Sequence, residues 1–292
     1  MKDYSENGEK LVNMYVKGKC NSLKIVIVFF DLEAPFLWKN APIFDLEGVI
    51  HEICVILDKY KAKAAFNTCG IVAERFPKII AKLYDDGHEI ASHGYAHENF
   101  ARISGAALND ALRKTEMILE KITGERPIGI RSPWLIKNRQ IYSVLKRRNY
   151  RWVSNWYVPF WTTKSRIRLQ ATSYLKWVIG KAIYGFKWIF HKKEPFQITD
   201  NLVEIPLLSP LDIYCIYPFP EPLKDSPENS LQEAYNILVK HFRSSKTYFN
   251  LNFHEHVIGT CNRTVLLDMI LKYLSRQTDA RFFVPRQLLS CR

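Results

Sequence analysis

The sequence lacks paired cysteines. Its six cysteines are spread over 292 residues and form no Cys-x-x-Cys pair. Closely spaced cysteines are typical of disulfide-rich secreted domains and of cysteine zinc sites. The spacing therefore predicts free thiols in a reducing compartment, and it argues against a metal site built from cysteine.

The N-terminus lacks the apolar run of a secretory signal. Its first ten residues, MKDYSENGEK, are polar and charged, whereas a signal peptide needs an apolar core before its cleavage site. We therefore expect residues 1–22 to form a polar tail and the protein to be cytoplasmic. The most apolar later segment, residues 174–190, contains three lysines, which disfavours a transmembrane span.

Acidic residues are absent from one long stretch. Residues 126–193 contain sixteen Lys and Arg and no Asp or Glu, so this stretch accounts for the whole net charge of +13. Soluble protein surfaces normally mix both signs of charge. The imbalance predicts an anionic partner for this part of the chain.

Residues 160–200 are aromatic, basic and poorly periodic, which is typical of an insertion within a domain. Basic residues mixed with aromatic ones suit adsorption to an anionic membrane surface, and residues 162–193 are the candidate segment. The alternative is a cap over the fold, with its aromatic residues packed inward. Nucleic acid is a disfavoured partner because no nucleic-acid motif accompanies the segment.

What the chain does contain is a regular alternation of strand and helix patterns. Residues 23–30, LKIVIVFF, are typical of a buried strand, and residues 104–124 form the clearest amphipathic helix, ended by Gly124. Pro77 should kink or split the helical pattern of residues 71–87. This alternation predicts one α/β domain over residues 23–290 with parallel strands, either a barrel or an open sheet.

Polar side chains follow the predicted strands at the points where they end. Because the carboxyl ends of parallel strands share one face, these side chains should lie together in a site. In chain order they are Asp31, Glu33, His93, His97, Arg131, Trp134, Trp156, His254 and His256.

Two of these residues, His93 and His97, have the spacing of a metal-binding pair. Residues four apart can place two imidazoles on the same side of one turn. Imidazole suits zinc and similar divalent ions, and a carboxylate could complete a site that keeps one position open for water. The spacing alone is a weak signal, since surface histidines share it.

The segment GHEIASHGYAHENF, residues 87–100, resembles the second motif of the NodB-homology polysaccharide deacetylases, carbohydrate esterase family 4. The other strand ends follow in that family's order: FFDLE is similar to its first motif, RSPW to its third, SNW to its fourth and LNFH to its last. The resemblance covers about residues 23–288. It implies a distorted (β/α) barrel of the NodB-homology type that carries the basic, aromatic insertion.

The resemblance also implies a metal centre. His93, His97 and Glu33 would bind one divalent ion, expected to be zinc, and Asp31 would be the general base that activates water. Arg131 would hold Asp31 in place and keep it ionised, since a nearby cation lowers the pKa of a carboxyl group.

The remaining roles concern the leaving group and the substrate. His254 would be the general acid that protonates the departing amine. His256 is the alternative, because both histidines would share one face if the strand continued. Trp134 and Trp156 would form apolar walls around the acyl group and the sugar.

The sequence departs from the family's pattern in two places. Most members have adjacent aspartates in the first motif, whereas Asp31 and Glu33 here are separated by Leu32. Residues two apart on a strand face the same side, so both can enter one site, and which of them binds the metal is left open. The fourth motif lacks the aspartate that steadies the arginine, so Ser154 or Asn155 would replace it.

Together these features predict a metal-dependent hydrolase that removes an acetyl or formyl group from an amino sugar. The sugar would belong to a polysaccharide or to a lipid-linked glycan at the inner face of the membrane. The alternative is a catalytically inactive relative of the same fold that binds glycans or adsorbs to membranes.

Overall fold

The computed structural model describes residues 23–34, 45–157, 192–210, 212, 228–260 and 262–289. The predicted tail, residues 1–22, and all but the last two residues of the basic segment 162–193 lie outside the described residues. Among the helices that are described, none is long and apolar enough to cross a membrane.

The described strands and helices alternate along the chain as the sequence predicts. The strands are β1 Lys24–Leu32, β2 Ala64–Thr68, β3 Glu89–Ser92, β4 Gly129–Ile130, β5 Trp152–Val153, β6 Phe196–Thr199, β7 Leu202–Glu204, β8 Tyr248–His254 and β9 Ala280–Phe283. The helices are α1 Leu46–Lys59, α2 Gly70–Arg75, α3 Pro77–Asp85, α4 Gly105–Thr123, α5 Arg139–Arg147, α6 Glu228–Ser244, α7 Glu255–Ile258, α8 Thr264–Ser275 and α9 Pro285–Leu289.

Local sequence signals account for the helix ends. Pro77 lies at the first position of α3, so the expected long helix is split at Phe76, as a ring without an N–H requires. Ser104 accepts a hydrogen bond from the backbone N–H of Ala107 and caps α4 at its start. Gly124 ends α4 with a φ of 76°, a conformation that glycine adopts without strain.

The strands form one sheet in the order β6-β7-β5-β4-β3-β2-β1-β8, and β9 also pairs with β1. All pairs are parallel except β6 with β7. The sheet curls into the distorted (β/α) barrel that the sequence predicts. Strand β6 lies within residues 160–200, which the sequence pattern assigns to the insertion. The pattern does not reveal this strand because it is a short, partly exposed edge strand without a buried apolar run.

Side chains complete the barrel where strand pairing stops. The Asn250 side chain of β8 donates to the carbonyl oxygen of Pro206 and accepts from the backbone N–H of Leu208. Asn252 donates to Ser209 in the same segment after β7. These amides therefore join the two ends of the curled sheet.

Strand β1 separates two apolar layers. Its even-numbered residues from Val26 to Leu32 pack in the cluster formed with the helices, whereas Ile25, Ile27 and Phe29 pack in the barrel interior. Because side chains alternate across a strand, Asp31 continues the interior row. The same alternation that builds the core thus directs this carboxylate into the barrel mouth.

His88 is a buried histidine outside the predicted site, and it supports β2. Its Nδ1 accepts a hydrogen bond from the backbone N–H of Ala64, and its ring packs edge-on against Phe66. Burial, reinforced by the Lys63 charge, lowers the pKa of His88 to about 4. The folded protein therefore favours the neutral ring.

We expect His88 to make the fold sensitive to acid. A group whose pKa is lower in the folded state contributes stability that is complete above its ordinary pKa and is lost as pH falls toward the folded value. Between pH 7 and pH 5 the wild type should lose about 2 kcal/mol of unfolding free energy that a His88→Gln variant keeps. Urea unfolding of both proteins at the two pH values measures this difference, and equal losses would contradict it.

Candidate active site

Four strand ends meet at the barrel mouth. In the ladder register, Asp31 of β1 lies opposite Asn67 of β2 on one side and His254 of β8 on the other. The next strand end, β3, is followed by His93 and, four residues later, His97. The sheet therefore brings side chains together that are far apart in the sequence.

Glu33 lies between His93 and His97, the two histidines that follow β3. Its Oε1 is 3.1 Å from Nε2 of His93 and 3.0 Å from Nε2 of His97. Burial opposes ionisation of Glu33, but hydrogen bonds from His93 and His97 hold its pKa well below the usual range. The three side chains thus form a compact cluster around an ionised carboxylate.

This cluster fits a divalent metal ion. Its three ligand atoms lie within 4.8 Å of one another. Tetrahedral ligands with bonds near 2.1 Å stand about 3.4 Å apart, close to the spacing of Glu33 from each imidazole. Of the two acidic residues left open by the sequence, the structure places Glu33 beside both histidines.

The protonation of His93 supports the same conclusion. Its Nδ1 is 2.7 Å from the carbonyl oxygen of Arg131, which can only accept, so Nδ1 carries a hydrogen. A neutral ring then presents a bare Nε2 to Glu33 Oε1, and a proton or a metal ion must lie between these two acceptors. A carbonyl on the far nitrogen is the usual support of a metal-binding histidine.

The loop that carries His97 is held by its own backbone contacts. Both oxygens of Glu98 accept N–H groups of the loop, from Tyr95 and Ala96. The first residue of α2, Gly70, donates its N–H to the Gly94 carbonyl. These contacts stabilise the left-handed backbone of His97, whose φ is 57°, a conformation that is uncommon for non-glycine residues.

Asp31 is paired with a fully buried arginine. Nη1 of Arg131 donates to Asp31 Oδ1 at 2.8 Å, and Asn67 donates to the same oxygen at 2.6 Å. Burial would raise the pKa of Asp31, but Arg131, His93 and His254 outweigh it and lower the pKa below its ordinary value. Asp31 is therefore ionised, and its second oxygen faces His254.

Two polar side chains hold the far nitrogen of the Arg131 guanidinium. Its Nη2 donates to Ser154 Oγ at 3.2 Å and to Asn252 Oδ1 at 2.9 Å. Of the two alternatives left open by the sequence, Ser154 contacts the arginine. Asn155 instead accepts from the backbone N–H of Ser132 and donates to its hydroxyl, so it supports the loop after β4.

His254 enters the cluster and carries its own carboxylate partner. Asp212 accepts at 2.7 Å from His254 Nδ1 and at 2.6 Å from its backbone N–H. Burial lowers the pKa of His254, but Asp212, Glu33 and Asp31 together raise it above the ordinary value. Sequence reasoning missed Asp212, because this residue lies outside the described strands and only its position after β7 could have suggested it.

The structure gives His254 and its sequence alternative, His256, different surroundings. Strand β8 ends at His254, and Glu255–Ile258 forms α7, so strand alternation does not extend to His256. Its Nδ1 lies 3.7 Å from the Glu255 carboxylate. His254 Nε2 instead lies 3.7 Å from Glu33 and 3.8 Å from Asp31.

Glu255 is a second residue that the sequence did not reveal. It is buried, and its two oxygens accept the backbone N–H groups of Ala34 at 2.5 Å and Glu33 at 3.3 Å. Ala34 has a φ of 54°, so the chain turns sharply here. Glu255 therefore fixes the turn that directs the Glu33 side chain toward the histidines.

We expect Glu255→Gln to weaken metal binding without removing any ligand. The amide offers only one acceptor oxygen to the two N–H groups, so the Glu33 backbone is less firmly held. Loss of such supporting contacts typically costs about 10- to 100-fold in metal affinity. Competition with a chromophoric chelator measures the Kd; the exposed Glu47→Gln serves as control, and an unchanged Kd for Glu255→Gln would contradict this role.

The two predicted tryptophans have different surroundings. Trp134 is 57% exposed, and its ring centroid is 5.2 Å from that of His97, so it borders the cluster. Trp156 is partly buried, packs edge-on against Phe196 and has Lys137 4.7 Å from its ring centre. Trp134 thus presents an apolar surface beside the histidines, whereas Trp156 packs against the edge strand.

Comparison with known proteins gives a family match to the first half of the chain. Residues 19–153 match the family model of polysaccharide deacetylases. The peptidoglycan-N-acetylglucosamine deacetylase of Bacillus cereus is 39% identical over 82 residues, covering 27% of this chain and 30% of that protein. The chain spans about a third of the length of the first curated relatives it matches.

Solved structures share the fold over nearly the whole chain. A peptidoglycan N-acetylglucosamine deacetylase superposes with a TM-score of 0.56 at 18% identity, covering 92% of this chain and 89% of its own. A mutant of a carbohydrate esterase family 4 pseudoenzyme superposes with a TM-score of 0.57 at 15% identity, covering 92% and 68%. At these identities the likeness concerns the fold alone.

Proposed function

We propose that this chain, whose residues 19–153 match the polysaccharide deacetylase family, is a metal-dependent hydrolase of an N-acyl group on an amino sugar. The observation that carries the proposal is the position of Asp31 and His254 beside the cluster of Glu33, His93 and His97. An acid, a base and a metal-ligand set in one buried mouth are what amide hydrolysis requires.

The metal ligands in this proposal are Glu33 Oε1 and Nε2 of His93 and His97. A bound zinc ion would supply Lewis acidity toward water and the amide carbonyl. The protein contributes the geometry: Arg131 holds the His93 ring through its carbonyl oxygen, and Glu255 holds the backbone of Glu33. The ligands are thus oriented by contacts from two other strand ends.

Asp31 acts as the general base in this proposal. Arg131 and Asn67 both occupy Oδ1, so Oδ2 is the oxygen that takes a proton from water. The arginine keeps Asp31 ionised at neutral pH and orients the carboxylate. Since Arg131 is itself fixed by Ser154 and Asn252, the base has little freedom to turn away.

His254 acts as the general acid that protonates the leaving amine. An amine anion is a very poor leaving group, so C–N cleavage needs a proton delivered to nitrogen. Asp212 binds Nδ1 and leaves Nε2 directed at the site. The charge of Asp212 also favours the protonated ring that the step consumes.

We expect Asp212→Asn to move the pH profile of the enzyme. Removing this charge lowers the pKa of His254, and the acid must be protonated to act. The alkaline limb of the kcat profile should therefore shift to lower pH, with kcat at its optimum reduced about tenfold or more. Measuring kcat from pH 6 to 10 tests this, and an unmoved alkaline limb would contradict the acid role of His254.

The experiment that tests the activity is amine release from a panel of N-acetyl and N-formyl sugars, free and lipid-linked. Turnover should require a divalent ion, stop with chelator and return when zinc is added back. Turnover that is insensitive to chelator would contradict a metal-dependent hydrolase. The comparison of acyl groups and of free and lipid-linked sugars identifies the substrate class.

We also propose that the substrate is lipid-linked and that the enzyme acts at the inner face of the membrane. The support is compositional: residues 162–193 mix Lys and Arg with Trp, Tyr and Phe and contain no acidic residue, which favours anionic lipid surfaces. The protein should co-sediment with liposomes containing phosphatidylglycerol and not with neutral ones. Sedimentation independent of lipid charge, or of deleting residues 162–193, would remove this proposal.

The second candidate function is a glycan-binding or membrane-adsorbed relative without activity. The fold permits it, since a pseudoenzyme is among the structures that superpose on this chain. The intact Asp31–Arg131 and His254–Asp212 pairs favour the enzyme. Metal binding without turnover on the whole sugar panel would support the inactive alternative.

A further inference from the structure

Asp31, Glu33 and His254 form a second group of potential ligand atoms beside the first cluster. Nε2 of His254 lies 3.8 Å from Asp31 Oδ2 and 3.7 Å from Glu33 Oε1. All three residues are buried, and their ligand atoms lie within 4.8 Å of one another. Glu33 Oε1 belongs to both groups, so the two share one oxygen.

The orientation of the His254 ring suits a metal ligand. Asp212 accepts from Nδ1, so Nε2 is the nitrogen directed at Asp31 and Glu33. A divalent ion bound between these three atoms would take the place of the Nε2 proton. A carboxylate on the far nitrogen is the support that metal-binding histidines commonly have.

We propose that Asp31 Oδ2, Glu33 Oε1 and His254 Nε2 form a second, weaker divalent-cation site that shares Glu33 with the first. A cation here occupies both the base and the acid of the proposed reaction. Excess metal therefore inhibits the enzyme. The inhibition rests on the proposed function, whereas binding of the second ion does not.

Two observations make the second site weaker than the first. Its nitrogen–oxygen distances of 3.7 and 3.8 Å are wider than the 3.0 and 3.1 Å of the first cluster, so the ligands must move inward. Arg131 also lies 2.8 Å from the other oxygen of Asp31 and repels a cation.

Equilibrium dialysis of the metal-stripped, full-length protein against Co²⁺ and Zn²⁺ tests the proposal. The wild type should bind two equivalents, the second at least tenfold more weakly. His254→Gln should keep the first equivalent, which also reports that the variant is folded, and lose the second. Asp212→Asn should weaken only the second, whereas the exposed His51→Gln should retain both.

Activity against metal concentration gives the functional part of the test. The rate should rise with the first equivalent and fall with the second. One equivalent in the wild type up to millimolar metal, or a second equivalent that survives His254→Gln, would overturn the site. Two equivalents without turnover on any sugar would refute the proposed function and leave the site standing, so the two failures are distinguishable.

Discussion

Replacing Asp31 with asparagine is expected to lower kcat by about 10²- to 10⁴-fold, the range of a lost general base. The amide keeps an oxygen for Arg131 and Asn67 but cannot take a proton from water. Glu33, His93 and His97 are untouched, so the first equivalent of metal should still bind. Initial rates at saturating substrate, with bound metal measured in parallel, test this expectation.

The variant should fold, although its melting temperature should fall. The melting temperature should fall because the fully buried Arg131 loses its charged partner, and an uncompensated buried charge is costly. The protein should still fold because Ser154 and Asn252 continue to accept hydrogen bonds from Arg131. Asp58→Asn, an exposed change on α1, is the matched control and should leave kcat unchanged. An Asp31→Asn protein that retains more than a tenth of wild-type kcat would exclude Asp31 as the base.

The double change His93→Ala and His97→Ala should abolish binding at the first metal site. At stoichiometric metal the wild type should retain one equivalent after desalting, and the variant almost none. Since a ligand that binds only the folded state stabilises it, adding metal should raise Tm for the wild type and not for the variant. Metal analysis and thermal unfolding with and without zinc give these two readouts.

The control for this double variant is a histidine pair elsewhere. The variant with His51→Ala and His88→Ala changes two histidines outside the site. This variant should keep the bound metal and the metal-induced rise in Tm. Its Tm without metal should be lower than that of the wild type because of the change at His88. A double variant at His93 and His97 that still retains a full equivalent would place the metal elsewhere. Chelator-treated wild type should match the His93/His97 variant in activity, since both lack the ion.

The elements of the fold were predictable because their signals are local. A short, continuous run of apolar residues identifies β1, Pro77 divides α2 from α3, and Gly124 ends α4. The short strands are less visible: β4 and β5 have two residues each, and β6 is partly exposed. Such strands are defined by their neighbours in the sheet, which no local window contains.

The sequence by itself determined which residue types stand at the strand ends, because side-chain alternation and strand termination are local properties of the chain. It thus indicated Asp31, Glu33, the His93/His97 pair, Arg131 and His254 as a site.

Only the tertiary structure decided how these residues are supported. Asp212 meets His254 across 42 residues, and Glu255 reaches Ala34 across 221. Strand β8 ends at His254, so His256 does not share its orientation. Ser154, and not Asn155, accepts a hydrogen bond from the Arg131 side chain. Contacts between distant segments depend on how the sheet curls, and that curvature results from the packing of the whole barrel rather than from any short stretch of sequence.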